Sequence, residues 1–158
     1  MRGDDAIGCV LCDELAGAGH NPIPLGELGL CPKPGLPEIR VIDCADTPEN
    51  YVEPVAKLKP QRILVIDCCD YGAEPGEFRL FSRGELEELS YGLLSTHTLP
   101  LSLTVELLSV ETGAAIELLG IQPERIEFGE DMSAPVQRAL PALVEFVRNW
   151  ARSSRPGA

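Results

Sequence analysis

The chain has 158 residues, 44% of them apolar and 24% charged, which suits one domain large enough to bury its own core. Acidic residues outnumber Lys and Arg by 25 to 13, for a formal net charge of −12. That disfavours a protein that tracks a phosphate backbone or an anionic membrane surface, since both need clustered cations. No apolar run is long enough to span a bilayer and no basic-then-apolar leader opens the sequence, so a cytoplasmic location is expected.

Ile7, Val10, Leu11 and Leu15 recur at helical spacing behind Asp4. Asp4 suits an N-cap, and Gly17 and Gly19 suit stops, so a first helix is predicted near residues 5–16. Residues 21–37 are rich in Pro and Gly and read as an irregular excursion. A short strand is predicted at 39–43 ("IRVID"). A second helix follows over 48–58, with Thr47 as N-cap and Pro48 at its first position. "RILVIDCC" (62–69) is continuously apolar and β-branched, the pattern of a central parallel strand buried on both faces. "EPG" (74–76) is a turn and "EFRLF" (77–81) an alternating strand. "SRGE" (82–85) is a capping box that opens a short helix. Residues 100–112 form a helix with Leu101, Val105 and Leu108 on one face and Gly113 as its stop. "AIELLGI" (115–121) is a buried strand. Ser133 caps a last helix whose stripe is Val136, Leu140, Leu143, Val144 and Val147. Residues 1–152 read as a single domain and 153–158 as a fraying tail.

Alternating strands and helices imply an α/β fold, three layers α/β/α, with a twisted, mostly parallel sheet covered on both faces. In such sheets, sites gather beyond the carboxyl ends of the strands. Three segments qualify: "RGDD" (2–5), "VIDCCD" (65–70) and "STHTLPL" (95–101). Asp67 leaves a hydrophobic strand, where a carboxylate is costly unless it is solvated, paired or bound to a cation. Asp70 fits an ordinary turn carboxylate. His97 lies in a polar loop, whereas His20, beside Gly19, reads as solvent-exposed. Two carboxylates and an imidazole at strand ends suit zinc, nickel or manganese, either resident or presented by a substrate.

The six cysteines form no disulfide framework in a chain without an export signal. Cys9 and Cys12 make one C-x-x-C, and Cys68–Cys69 is a vicinal pair. A four-thiolate site built from both pairs is the minority reading, against small buried reduced thiols. Residues 2–4 spell Arg-Gly-Asp, which an unexported acidic protein does not present to adhesion receptors.

The segments "RGDDAIG" (2–8), "VID" and "TPEN" (41–43, 47–50), "LVIDCCDYGAEPGEFRL" (64–80), "STHTLPLS" (95–102) and "LLGIQP" (118–123) together resemble the [NiFe]-hydrogenase maturation proteases, the hydrogenase 3 type above all. The resemblance implies a twisted sheet of about five strands between helices. It also implies an endopeptidase that removes the C-terminal extension of the hydrogenase large-subunit precursor once nickel is in place. By position, the metal-contacting residues fall on Asp5, Asp67 and His97. The nickel then belongs to the substrate, and no resident cofactor is expected, although zinc or cadmium would substitute at such a site in a crystal. A carboxylate, Asp5 or Asp67, is the candidate general base on water, unless the metal itself polarises the carbonyl. A monomer is expected, with no nucleic-acid or membrane partner.

Two departures from the family pattern stand out. The family begins with a strand and a glycine-asparagine turn that lead into the acidic pair, and Met1 stands where that turn should be ending, so the first strand is expected to be missing from this chain. The family's glycine-rich turn before "PEN" reads "CAD" (44–46) here. Two rivals remain: a non-catalytic metal-binding module using the cysteines, and a receiver-like phospho-acceptor domain. The second lacks its lysine, since none follows Lys59.

Overall fold

The computed structural model describes residues 3–16, 40–45, 47–89, 101–125 and 131–153. Gly3–Ala6 is a 3-10 turn that runs directly into helix α1 (Ile7–Ala16). A second 3-10 turn, Pro48–Tyr51, opens α2 (Val52–Lys57), with Pro48 in the first turn as the sequence predicts. Strand β1 (Arg62–Cys68), strand β2 (Phe78–Ser82), α3 (Arg83–Leu89), α4 (Leu101–Thr112), β3 (Ala115–Ile121) and α5 (Ala134–Arg152) follow.

Local chemistry accounts for several boundaries. The Ser82 and Glu85 side chains complete the capping box: the Ser82 amide donates to Glu85 Oε2 at 2.8 Å and the Glu85 amide to Ser82 Oγ at 3.3 Å. Gly113 ends α4 with φ of 65°, its amide donating to the Ser109 carbonyl at 2.9 Å. The "EPG" turn closes with the Glu77 amide on the Glu74 carbonyl at 3.0 Å. Ala45, in the "CAD" stretch, takes φ of 46°, a region that favours glycine. Its amide is held by Asp43 Oδ1 at 2.9 Å, so a side-chain hydrogen bond supports the turn.

The sheet corrects four expectations. Among the described residues it has three strands, not about five, in the order β1-β3-β2. Residues 40–44, within the expected strand 39–43 and its end, carry no regular secondary structure; Asp43 and Ile42 accept from thiols of α1. β1 pairs parallel with β3, but β2 pairs antiparallel with β3, so the sheet is mixed rather than mostly parallel. The central strand is β3, buried from Ile116 to Ile121, while residues 62–66 of β1 are only half-buried. A continuous apolar run does not by itself say which of two such strands takes the middle.

Helices cover both faces. On one, Ile7 and Leu11 of α1 and Val136, Leu143 and Val147 of α5 pack on Cys68, Leu119 and Ile121. On the other, Leu101, Val105 and Leu108 of α4 pack with Cys69, Phe81, Leu86, Ile116 and Leu118, with Val52 and Val55 of α2 at the margin. Successive strand residues point to opposite faces, so neighbours such as Leu118 and Leu119 serve different cores. No helix among the described residues is long and apolar enough to cross a membrane.

At the amino end of β1, Glu117 accepts the Trp150 indole N–H at 2.6 Å and pairs with Arg62 at 3.5 Å. The Arg62 guanidinium lies 4.0 Å from the centre of the Trp150 ring and donates to the Trp150 and Ser153 carbonyls. This locks the end of α5 to the sheet, at the end opposite the carboxyl ends of β1 and β3.

Candidate active site at the carboxyl ends of the strands

Asp67 is the last residue but one of β1 and is 6% exposed. It stands in register with Gly120 of β3. A Cβ on Gly120 would lie 2.5 Å from Cys69 Sγ and 2.8 Å from a Phe81 ring carbon, so only glycine fits where β3 passes under this corner.

The 3-10 turn that carries Asp4 and Asp5 packs against the same end of β1: the Cys68 thiol donates to the Asp4 carbonyl at 3.2 Å. Burial raises the Cys68 thiol pKa, and the negative charges of Asp67, Asp5 and Asp4 raise it further. The structure thus brings the turn that carries Asp5, half-buried, against the end of the strand that carries Asp67. His97, the third predicted residue, lies outside the described residues, as do His20 and residues 21–37.

Asp4 is not the N-cap that its position suggests. It sits inside the 3-10 turn, fully buried, and its carboxylate faces across the molecule. Oδ1 accepts the Ser133 amide at 2.6 Å; Oδ2 accepts the Ser133 hydroxyl at 2.9 Å, the Glu124 amide at 2.7 Å and the Arg125 amide at 3.1 Å. Burial alone would raise its pKa. The hydrogen bonds from Ser133, Arg125 and Glu124 outweigh that and hold it below the usual carboxylate value. Ser133 does stand at the N-cap position of α5, but its hydroxyl makes no cap bond because it serves Asp4.

Gln122, just past β3, is the other residue that local pattern does not flag. Its Oε1 accepts the amides of Tyr71 at 3.0 Å and Ala73 at 3.1 Å, and its Nε2 donates to Asp70 Oδ1 at 3.0 Å. Asp70 also accepts the Gly72 amide at 3.1 Å, the turn role its sequence context implies. The available signal for Gln122 is its place: a polar residue at the end of a buried strand, as Asp67 is.

The cysteines do not form the four-thiolate arrangement. Cys68 and Cys69 belong to opposite cores. Cys9 and Cys12 instead meet the segment before α2, with the Cys9 thiol on Asp43 Oδ1 at 3.3 Å and the Cys12 and Cys44 thiols both near the Ile42 carbonyl. Burial, then the charge of Asp43, pushes Cys12 and Cys44 up to about 12. Among the described residues no group of three or more His, Cys, Asp or Glu side chains is arranged to hold a metal ion.

The open α/β sheet covered by helices on both faces is a fold this chain shares with solved endopeptidases. The solution structure of the endopeptidase HycI from Escherichia coli superimposes with a TM-score of 0.72 at 27% identity, over 99% of this chain and 87% of that one. The crystal structure of the [NiFe] hydrogenase maturation protease HycI from Thermococcus kodakarensis KOD1 gives 0.70 at 28%, over 96% and 86%. Residues 31–150 match the family HycI, hydrogenase maturation protease. The hydrogenase 3 maturation protease of Escherichia coli strain K12 is 30% identical over 150 residues, 95% of this chain and 84% of that protein. The chain belongs to the hydrogenase maturation protease family and is an endopeptidase.

Proposed function

We propose that this endopeptidase removes the C-terminal extension of a [NiFe]-hydrogenase large-subunit precursor after nickel insertion, and that Asp5, Asp67 and His97 contact the precursor's nickel. The observation that carries the reading is the placement of Asp5 and Asp67 at one strand end in a chain of this family. Oxygen and nitrogen donors suit a divalent first-row metal. The nickel enters as part of the substrate and serves as the sign that the precursor is ready. Once it is engaged, the extension lies across the strand ends. One carboxylate of the pair takes a proton from water as the water oxygen adds to the scissile carbonyl carbon, and the leaving nitrogen receives that proton as the C–N bond breaks.

The test is incubation with nickel-loaded and nickel-free precursor, reading the C-terminal peptide by mass spectrometry. Cleavage requires nickel and is lost in Asp67→Asn. Equal cleavage of nickel-free precursor contradicts the recognition step. Full activity in both Asp67→Asn and His97→Ala removes the proposed site.

A further inference from the structure

Residues 122–125 contribute neither of the two carboxylates, yet they hold the chain on both sides of the pair. Toward Asp67, Gln122 is 6% exposed and its amide is fully engaged: Oε1 accepts from Tyr71 and Ala73, Nε2 donates to Asp70 Oδ1 and lies 3.4 Å from the Pro123 carbonyl. Its main chain is fixed as well, donating to the Glu77 carbonyl at 2.8 Å and accepting from the Gly76 amide at 2.9 Å. Toward Asp5, the amides of Glu124 and Arg125 bind the Asp4 carboxylate, and the Asp4 amide donates back to the Arg125 carbonyl at 3.3 Å. Asp4 adjoins Asp5, and Asp70 follows Asp67 by three residues, so little slack separates each anchor from its carboxylate.

Such an arrangement answers a physical need. Two like charges at one strand end repel, and a flexible backbone would let them part. A reaction that uses both tolerates only small displacements. We propose that Asp4 and Gln122 are positioning residues that set the separation of the Asp5 and Asp67 carboxylates, Asp4 acting through Asp5 and Gln122 through Asp67. This inference rests on the reading of Asp5 and Asp67 as the site. It adds that the segment after β3 is the clamp which makes them one site.

The experiment is a pair of double-mutant cycles on precursor cleavage by the full chain, with folding of each variant checked by circular dichroism. Asp4→Asn and Gln122→Met each lower kcat/KM by about 10- to 100-fold. In the double variants, Asp4→Asn adds less than about twofold to Asp5→Asn, and Gln122→Met less than about twofold to Asp67→Asn, because each acts through a carboxylate already lost. Full multiplicative effects in both cycles overturn the inference and leave the anchors as supports of the fold at large. Where a carboxylate variant has no measurable rate, the same cycle is read on the dissociation constant for nickel-loaded precursor. If Asp4→Asn does not fold, the Gln122 cycle decides. If Asp5→Asn and Asp67→Asn both cleave normally, the site reading itself falls, a pattern distinct from failure of the clamp alone.

Discussion

Replacing Asp4 separates its charge from its shape. In Asp4→Asn the side-chain oxygen keeps the Oδ2 position and its three donors, the Ser133 hydroxyl and the Glu124 and Arg125 amides. The new NH2 group then faces the Ser133 amide, donor against donor, where Oδ1 accepted at 2.6 Å. Losing one charge-assisted bond at a fully buried site costs about 2–3 kcal/mol. Asp4→Ala strands both Ser133 donors, while water reaches the exposed stretch of Glu124 and Arg125, for about 3–5 kcal/mol. Either is a large share of a total near 5–15 kcal/mol. The pH dependence has a definite sign. Asp4 is lowered in the folded state, so its contribution is present above the unfolded value and is lost as pH falls through the folded one. Urea unfolding followed by circular dichroism should therefore rank wild type above Asp4→Asn above Asp4→Ala at neutral pH. The gap between wild type and Asp4→Asn should narrow toward about pH 3, where unfolded Asp carboxyls are already protonated. A gap below about 1 kcal/mol at neutral pH refutes the account of the hub, as does a gap that widens with acid.

At the other end of the sheet, Glu117→Ala leaves the Arg62 charge without its carboxylate and the Trp150 N–H without its acceptor, and should cost about 3 kcal/mol. The urea midpoint should fall while kcat of the folded enzyme stays unchanged; a matching loss of kcat would show that this lock reaches the site. The thiols of Cys12, Cys44 and Cys69 are all pushed up to about 12, chiefly by burial. Iodoacetamide at mildly alkaline pH should alkylate them at least about 100-fold more slowly in the native protein than in urea. Peptide mapping by mass spectrometry reads each rate, and rapid native labelling of any of the three contradicts its protonated state.

What the sequence made legible was whatever depends on neighbours close along the chain. The apolar stripes of α4 and α5, the runs of β1 and β3, the Ser82–Glu85 box and the Gly113 stop all rest on contacts within a few residues or on a period matched to one face. The position of β3 in the middle of the sheet was not of that kind, because strand order depends on pairings between distant segments. The sharpest case is the pair Asp4–Asp5. The two are the same amino acid, adjacent, in one 3-10 turn, and no local rule says which turns inward. The choice is made by amides more than a hundred positions later, at Glu124, Arg125 and Ser133, which arrive together only when β3 and α5 are in place. Those donors draw Asp4 into the interior and leave Asp5 half-buried at the end of β1, beside the carboxyl-terminal turn of the strand that carries Asp67. A buried anion held by backbone donors and a second carboxylate left half-buried at the strand end are thus two outcomes of one folding step, and neither is readable from the acidic pair alone.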